Sequence, residues 1–173
     1  MKLEQILLDD QKRIRGLFRQ VQVLEQRAPE MISGVSGELF LDLELHARAE
    51  LEHVFPQLLS DLNDSSIAGD LGQAREAQLD VMREVEALKA LNPGAEDWPR
   101  RMGDFRRTID LHFDHELRQV FPLIRHFRSD LSSQLADRIL EERQRTLGRP
   151  ERSPMRPEVV QNPHGGEQKR KVG

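Results

Sequence analysis

Cysteine is absent from all 173 residues, which excludes disulfides, thiolate zinc sites, iron–sulfur clusters and thiol nucleophiles. Tyrosine is absent too, removing the usual stable side-chain radical and the phenolate ligand. Any metal held here must therefore be bound by His, Asp or Glu, by an amide oxygen or by water. There is no glycine-rich phosphate loop and no GxSxG. No apolar run is long enough to span a membrane, and the opening MKLEQILLDDQKR lacks the apolar stretch of a signal peptide. These absences point to a soluble, cytoplasmic chain. The formal net charge is −4, with both signs mixed among the 32% of residues that are charged. That pattern belongs to solvated helix faces rather than to a nucleic-acid footprint.

What is present is helical periodicity. Leu3, Leu7, Gln11, Ile14, Phe18 and Val21 recur at steps of three and four, predicting an amphipathic helix to about Arg27 that Ala28-Pro29 ends. A second stripe carries Leu39, Leu43, His46, Glu50, Val54 and Leu58, with Pro56 expected to end or kink it. After SDLNDSSIAGD, read as turn-rich, the third stripe is Leu71, Ala74, Gln78, Val81, Val85 and Leu88, stopped by Asn92-Pro93-Gly94. The fourth is Phe105, Ile109, His112, Glu116, Val120 and Leu123, crossed by Pro122. A short fifth helix is expected from about Ser129 to Arg145, capped by Ser129 or Asp130.

Two segments read almost alike. HARAELEHVFP begins at His46 and HFDHELRQVFP begins at His112, each placing a histidine four residues ahead of a glutamate and running into Val-Phe-Pro. On a helix that spacing stacks each pair one turn apart on a single face. In an antiparallel hairpin, residues equidistant from the turn lie side by side. Gln11 and the His46/Glu50 pair have their midpoint at Pro29 or the next residue, and Gln78 and the His112/Glu116 pair have theirs near Ala95 and Glu96. Both midpoints fall on or beside helix breakers. The fold class expected is all-α: two duplicated helical hairpins forming an up-down-up-down four-helix bundle over residues 1–128, an additional C-terminal helix over 129–148, and a disordered tail over 149–173. That tail holds six basic residues against three acids and four prolines, and a protein partner through it is an open option.

The bundle gathers Gln11, His46, Glu50, Gln78, His112 and Glu116 in one inward layer. Two imidazoles and two carboxylates inside a bundle are costly unless something compensates their charge, and a divalent cation does so directly. Histidine nitrogen with carboxylate oxygen suits iron, manganese or zinc, so His46, Glu50, His112 and Glu116 are the expected metal ligands. Glu50 and His53 also form an ExxH step like that of other carboxylate-bridged bundles. In the second copy, however, the counterpart of His53 is Gln119, and the counterpart of His115 in the first copy is Ala49. His53 and His115 are therefore read as rim residues with at most a weak or indirect role, and the inward amides Gln11 and Gln78 as weak ligands at most, better suited to hydrogen bonds around the site.

The segments LLDDQKRIRGLF, HARAELEHVFP, EAQLDVMREVEAL and HFDHELRQVFP resemble the four helices of hemerythrin-like domains, the HHE cation-binding family, over roughly Leu3 to Phe127. The resemblance implies a four-helix bundle with a non-haem di-iron centre, serving oxygen or nitric oxide binding, iron sensing or iron-centre repair. It implies His46 and His112 as terminal ligands, one on each metal, with Glu50 and Glu116 as bridges. Family members usually carry histidine where Gln11 and Gln78 stand, so each half-site has one nitrogen donor fewer. The same amide at both positions favours a retained, altered site, since glutamine offers a weak oxygen ligand or a hydrogen bond to a carboxylate or bound water. The expected function is thus an atypical non-haem iron protein, handling or sensing iron, oxygen or nitric oxide. The alternative is a metal-free interaction or regulatory module that keeps the fold with a degenerate site. A metal-dependent oxidase is a weaker third reading, and the missing tyrosine argues against its radical-generating versions.

Overall fold

The computed structural model describes residues 2–61 and 65–148, with side chains for 2–60 and 68–148. The tail expected over 149–173 lies outside the described residues. Helix α1 runs Leu3–Arg27, α2 Ile32–Ala49, α3 Phe55–Asp61, α4 Ser65–Lys89, α5 Trp98–Arg125 and α6 Ser129–Leu147. Helices α1, α2, α4 and α5 form the expected up-down-up-down bundle, each packed on the next and α5 back on α1.

The breakers act where the sequence places them. Ala28 leaves helical geometry and its N–H closes on the Leu24 carbonyl, and Pro29 opens a short 3₁₀ turn into α2. Beyond α4, the Gly94 N–H is held by the Asn92 side chain before Pro99 starts α5. Two expectations need correction. Ser65 to Asp70, read as turn, belongs to the first turns of α4. The cap of α6 is Arg128 rather than Ser129 or Asp130, and it makes no side-chain capping bond. Asp130 instead pairs with Arg128 at 2.9 Å.

Pro56 has an effect that periodicity does not reveal. Its ring has no N–H and would crowd the carbonyl four residues back. Upstream of it the backbone widens into a π-turn over Glu50–Val54, with the Phe55 N–H bonded to the Glu50 carbonyl. Pro122, its counterpart, is carried inside continuous α5, so a proline alone does not force the π-turn. The two copies of the repeat are thus different at the backbone level.

The interior separates into two apolar clusters. One holds Phe18, Leu39, Phe40, Leu43, Val81, Val85, Trp98, Phe105, Ile109 and Phe113, near the loops at Pro29 and Pro93. The other holds Leu3, Leu7, Val54, Phe55, Leu71, Val120 and Phe121 together with Leu135, Ala136 and Ile139 of α6. Helix α6 therefore closes the far end of the bundle, and its Ser132 hydroxyl accepts the Leu3 N–H at 3.1 Å, one of the donors that the start of α1 leaves open. Removing methylenes from a sealed core costs the transfer energy and a cavity. Ile109→Ala, at a position with 0% exposure, is expected to lower unfolding free energy by about 2–5 kcal/mol in denaturant titrations. Leu111→Ala, two residues on but 70% exposed, is expected to stay within about 0.5 kcal/mol of wild type.

Candidate metal centre

Between the two apolar clusters lies a polar layer of Gln11, His46, Glu50, Gln78, His112 and Glu116, all buried at 8% exposure or less. Each reaches the interior because it occupies an apolar position in its helix stripe: Gln11 from α1, His46 from α2, Glu50 from the π-turn, Gln78 from α4, and His112 and Glu116 from α5.

Glu116 is the hub. Its Oε2 accepts a hydrogen bond from the Gln11 amide at 2.7 Å and lies 3.5 Å from His46 Nε2, while its Oε1 is 2.5 Å from His112 Nε2. His112 Nε2 also contacts the Gln78 amide oxygen. In the second hairpin's half of the layer His112 is taken up by the Gln78 amide, and Glu116 Oε1 is left buried without a hydrogen bond. The first half is open. His46 Nε2 and both Glu50 oxygens make no hydrogen bond among the described residues, and His46 Nε2 stands 3.9 Å from Glu50. One donor atom each from His46, Glu50 and Glu116 lies within 4.8 Å of the others. An imidazole nitrogen facing two carboxylates at this separation, with no hydrogen-bond partner, fits a divalent transition cation that displaces any proton it holds.

The other face of His46 is held from outside the layer. Its Nδ1–H donates to Asp10 at 3.3 Å, and Asp10 in turn receives a two-pronged bond from Arg143 of α6 at 2.8 and 2.5 Å. Phe113 stands edge-on to the His46 ring at 5.3 Å, with the Arg15 guanidinium over its outer face. This arrangement fixes the tautomer in which Nε2 faces Glu50 and Glu116.

The ionisation states follow from the same contacts. Burial pushes the Glu50 carboxyl well above the usual carboxylate range, and the neighbouring Glu116 charge adds to it. Burial alone would lower the His46 imidazole, but the Glu50 charge and the hydrogen bonds to Asp10 and Glu116 outweigh it and hold it well above its ordinary value. Burial would likewise raise Glu116, yet the His112 and His46 imidazoles beside it keep it far below the ordinary range. Asp10, also pushed up by burial, is brought below its usual value by His46 and Arg143. Without a cation, then, the layer shares its charge among these groups: burial favours the proton on Glu50, while the imidazoles and Arg143 favour ionised Glu116 and Asp10.

The six residues expected in the layer are brought together there. Gln78 meets His112 within its own hairpin as expected, whereas Gln11 reaches across to Glu116 of the other hairpin rather than to His46 or Glu50. His53 and His115 stand outside: His53 Nε2 pairs with Glu142 of α6 at 2.8 Å, and His115 makes no hydrogen bond or ion pair to the layer among the described residues. Periodicity missed Asp10, Arg143 and Glu142. The Asp10-Gln11 step was the available signal for Asp10; nothing local marks Arg143 or Glu142.

These ionisations give the metal-free protein a pH signature. Raised folded pKa values for Glu50 and His46 contribute stability that is complete below the unfolded values, roughly 4.3 and 6.5, and is lost as pH rises through the folded ones. The lowered Glu116 contributes stability that is lost as pH falls below the ordinary carboxylate range. Urea unfolding of chelator-treated protein is therefore expected to show the Glu50 contribution falling from about pH 4.3 and that of His46 from about pH 6.5 upward, with a shallower decline in Glu50→Gln. A profile that is flat or rises above neutrality would contradict these assignments.

Residues 3–124 match the family described as the hemerythrin HHE cation binding domain. The DNA nickase of Nostoc sp. is 27% identical over 134 residues, which are 78% of this chain and 36% of that protein, so the chain spans about a third of that relative's length. Among solved structures, an HHE cation binding domain-containing protein from Mycobacterium kansasii matches with a TM-score of 0.68 at 19% identity, covering 86% of this chain and 91% of that one. At that identity the likeness shows the fold, which is the same helical bundle. With more than half of its length matched by the family and the polar layer inside that span, this chain belongs to the hemerythrin HHE cation-binding family.

Proposed function

We propose that this protein holds a non-haem iron in the polar layer and serves to sense or handle iron, oxygen or nitric oxide. His46, Glu50, Glu116 and His112 are the proposed ligands. The observation that carries the reading is the open half of the layer, where His46 Nε2 and both Glu50 oxygens are buried and unclaimed beside Glu116. Iron bound there would supply redox and small-ligand chemistry, and manganese or zinc suits the same donors. The chain's own part is to present donors and keep competitors out. His46 offers Nε2 because Asp10 occupies Nδ1; Glu50 supplies a carboxylate once its proton leaves; Gln11 steadies Glu116 by donating to its Oε2. Apolar clusters shield the layer on both sides. A surface cleft of about 380 Å³ along α1, closed on one side by Leu117 of α5, includes Gln11 in its lining.

Because His112 is engaged by Gln78 and Glu116, the first half-site is expected to bind first. A dinuclear centre requires His112 to give up the Gln78 contact. The same contacts support the second reading, a metal-free regulatory module, since hydrogen bonds already satisfy Gln11, Gln78 and His112. The nicking named for the Nostoc relative stays with that protein, most of whose length has no counterpart here.

Elemental analysis and absorption spectra after anaerobic iron(II) loading and air exposure separate these readings. Bound iron is expected in wild type, lost in His46→Ala and Glu50→Ala, and increased toward two per chain in the double variant Gln11→His/Gln78→His. Iron in the double variant alone would mark the wild-type layer as a relic and leave the metal-free module standing.

A further inference from the structure

Helix α6 lies beyond the span that the family matches, residues 3–124, yet it reaches the centre. Arg143 grips both oxygens of Asp10, at 2.8 and 2.5 Å. Asp10 accepts the Nδ1–H of His46, whose Nε2 is the unclaimed nitrogen of the open half-site. We infer that Arg143 is a positioning residue for the cation: through Asp10 it fixes the tautomer and ring plane of His46, so that cation affinity and the docking of α6 are linked. This inference rests on the metal reading above and deepens it.

The geometry supports the link in three ways. First, the Arg143–Asp10 pair is largely withdrawn from water, with side-chain exposures of 16% and 17%, unlike the rim pairs of this surface such as Arg145–Glu141 at 73% and 69%. A shielded two-pronged pair holds its partner in one orientation, as a lysine's point charge does not. Second, a carboxylate on the far nitrogen of a ligating imidazole sets the ring's orientation and basicity, and removing such a partner typically costs roughly 10- to 100-fold in metal affinity. Third, α6 is joined to the same half-site a second time, because Glu142, the residue before Arg143, pairs with His53 on the π-turn that carries Glu50. Adjacent residues of α6 thus hold the strand of contacts on each side of the open half-site. The second half, built on Gln78 and His112, has no such contact with α6 among the described residues.

If α6 orients a ligand, linkage requires the reverse effect, so that a bound cation must also hold α6 down. Full-length variants loaded with cobalt(II) as a spectroscopic probe test both directions. Arg143→Ala and Asp10→Ala are each expected to weaken cobalt(II) binding roughly 10- to 100-fold and to shift its ligand-field bands. Arg143→Lys is expected to recover part of the affinity. The Asp10→Ala/Arg143→Ala double variant is expected to be no weaker than Asp10→Ala alone, as two residues acting through one contact require. In wild type, cobalt(II) is expected to slow amide hydrogen exchange along α6, and to do so less in Arg143→Lys. Folded Arg143→Ala with wild-type affinity and bands would overturn the inference, as would exchange in α6 that ignores a bound cation. Should Arg143→Ala fail to fold, Arg143→Lys and Asp10→Ala decide by the same measures. A wild type that takes up no cation at all defeats the metal reading itself, which is a different result from a wild type and an Arg143→Ala that bind alike.

Discussion

Six polar side chains cross the interior of this bundle between two apolar clusters, and their desolvation is the constraint that the surrounding structure answers. Buried carboxylates and imidazoles are tolerated only where protons, hydrogen bonds or a cation balance them. Here the balance is struck group by group. Glu116 gathers Gln11, His46 and His112 around it, Asp10 draws on Arg143, and burial favours the proton on Glu50. Helix packing on either side of the layer is ordinary; the layer itself is what makes the bundle particular.

The two hairpins of the repeat meet this constraint differently. In the second, Gln78 and Glu116 satisfy His112 and the backbone of α5 runs unbroken through Pro122. In the first, the backbone opens into a π-turn at Glu50, and His46 and Glu50 turn atoms inward that nothing in the protein claims. π-turns inside α-helices recur at functional sites. The departure from regular geometry and the unclaimed donors coincide in one half of the molecule, which is also the half that α6 touches.

Much of this was legible in the sequence. The period of Leu3, Leu7, Ile14, Phe18 and Val21, the twin His-x-x-x-Glu segments and the prolines at 29 and 93 specify four helices and their turns. The intrusion of Gln11, His46, Glu50, Gln78, His112 and Glu116 into apolar stripes specifies a shared layer. Two kinds of information were beyond local reading. Which layer residues touch depends on rotation and height between helices, so Gln11 was set against its own hairpin when it bonds Glu116 across the bundle. The parts played by Asp10 and Arg143 depend on where a terminal helix docks, and no spacing rule relates residues so far apart. The π-turn was hidden because Pro56 and Pro122 look equivalent in sequence and act differently in three dimensions.

The clamp on Asp10 also sets an order of assembly. Asp10 and Arg143 are separated by 133 positions in the chain, and Leu3 and Ser132 by 129, so α1 waits for α6. Contacts at such separation are among the slowest to form. During synthesis the four long helices can collapse into a bundle while His46 still lacks its oriented partner. On the proposed reading, the open half-site is complete only once α6 has docked on α1, so the grip on an ion depends on a contact that spans 133 positions of the chain.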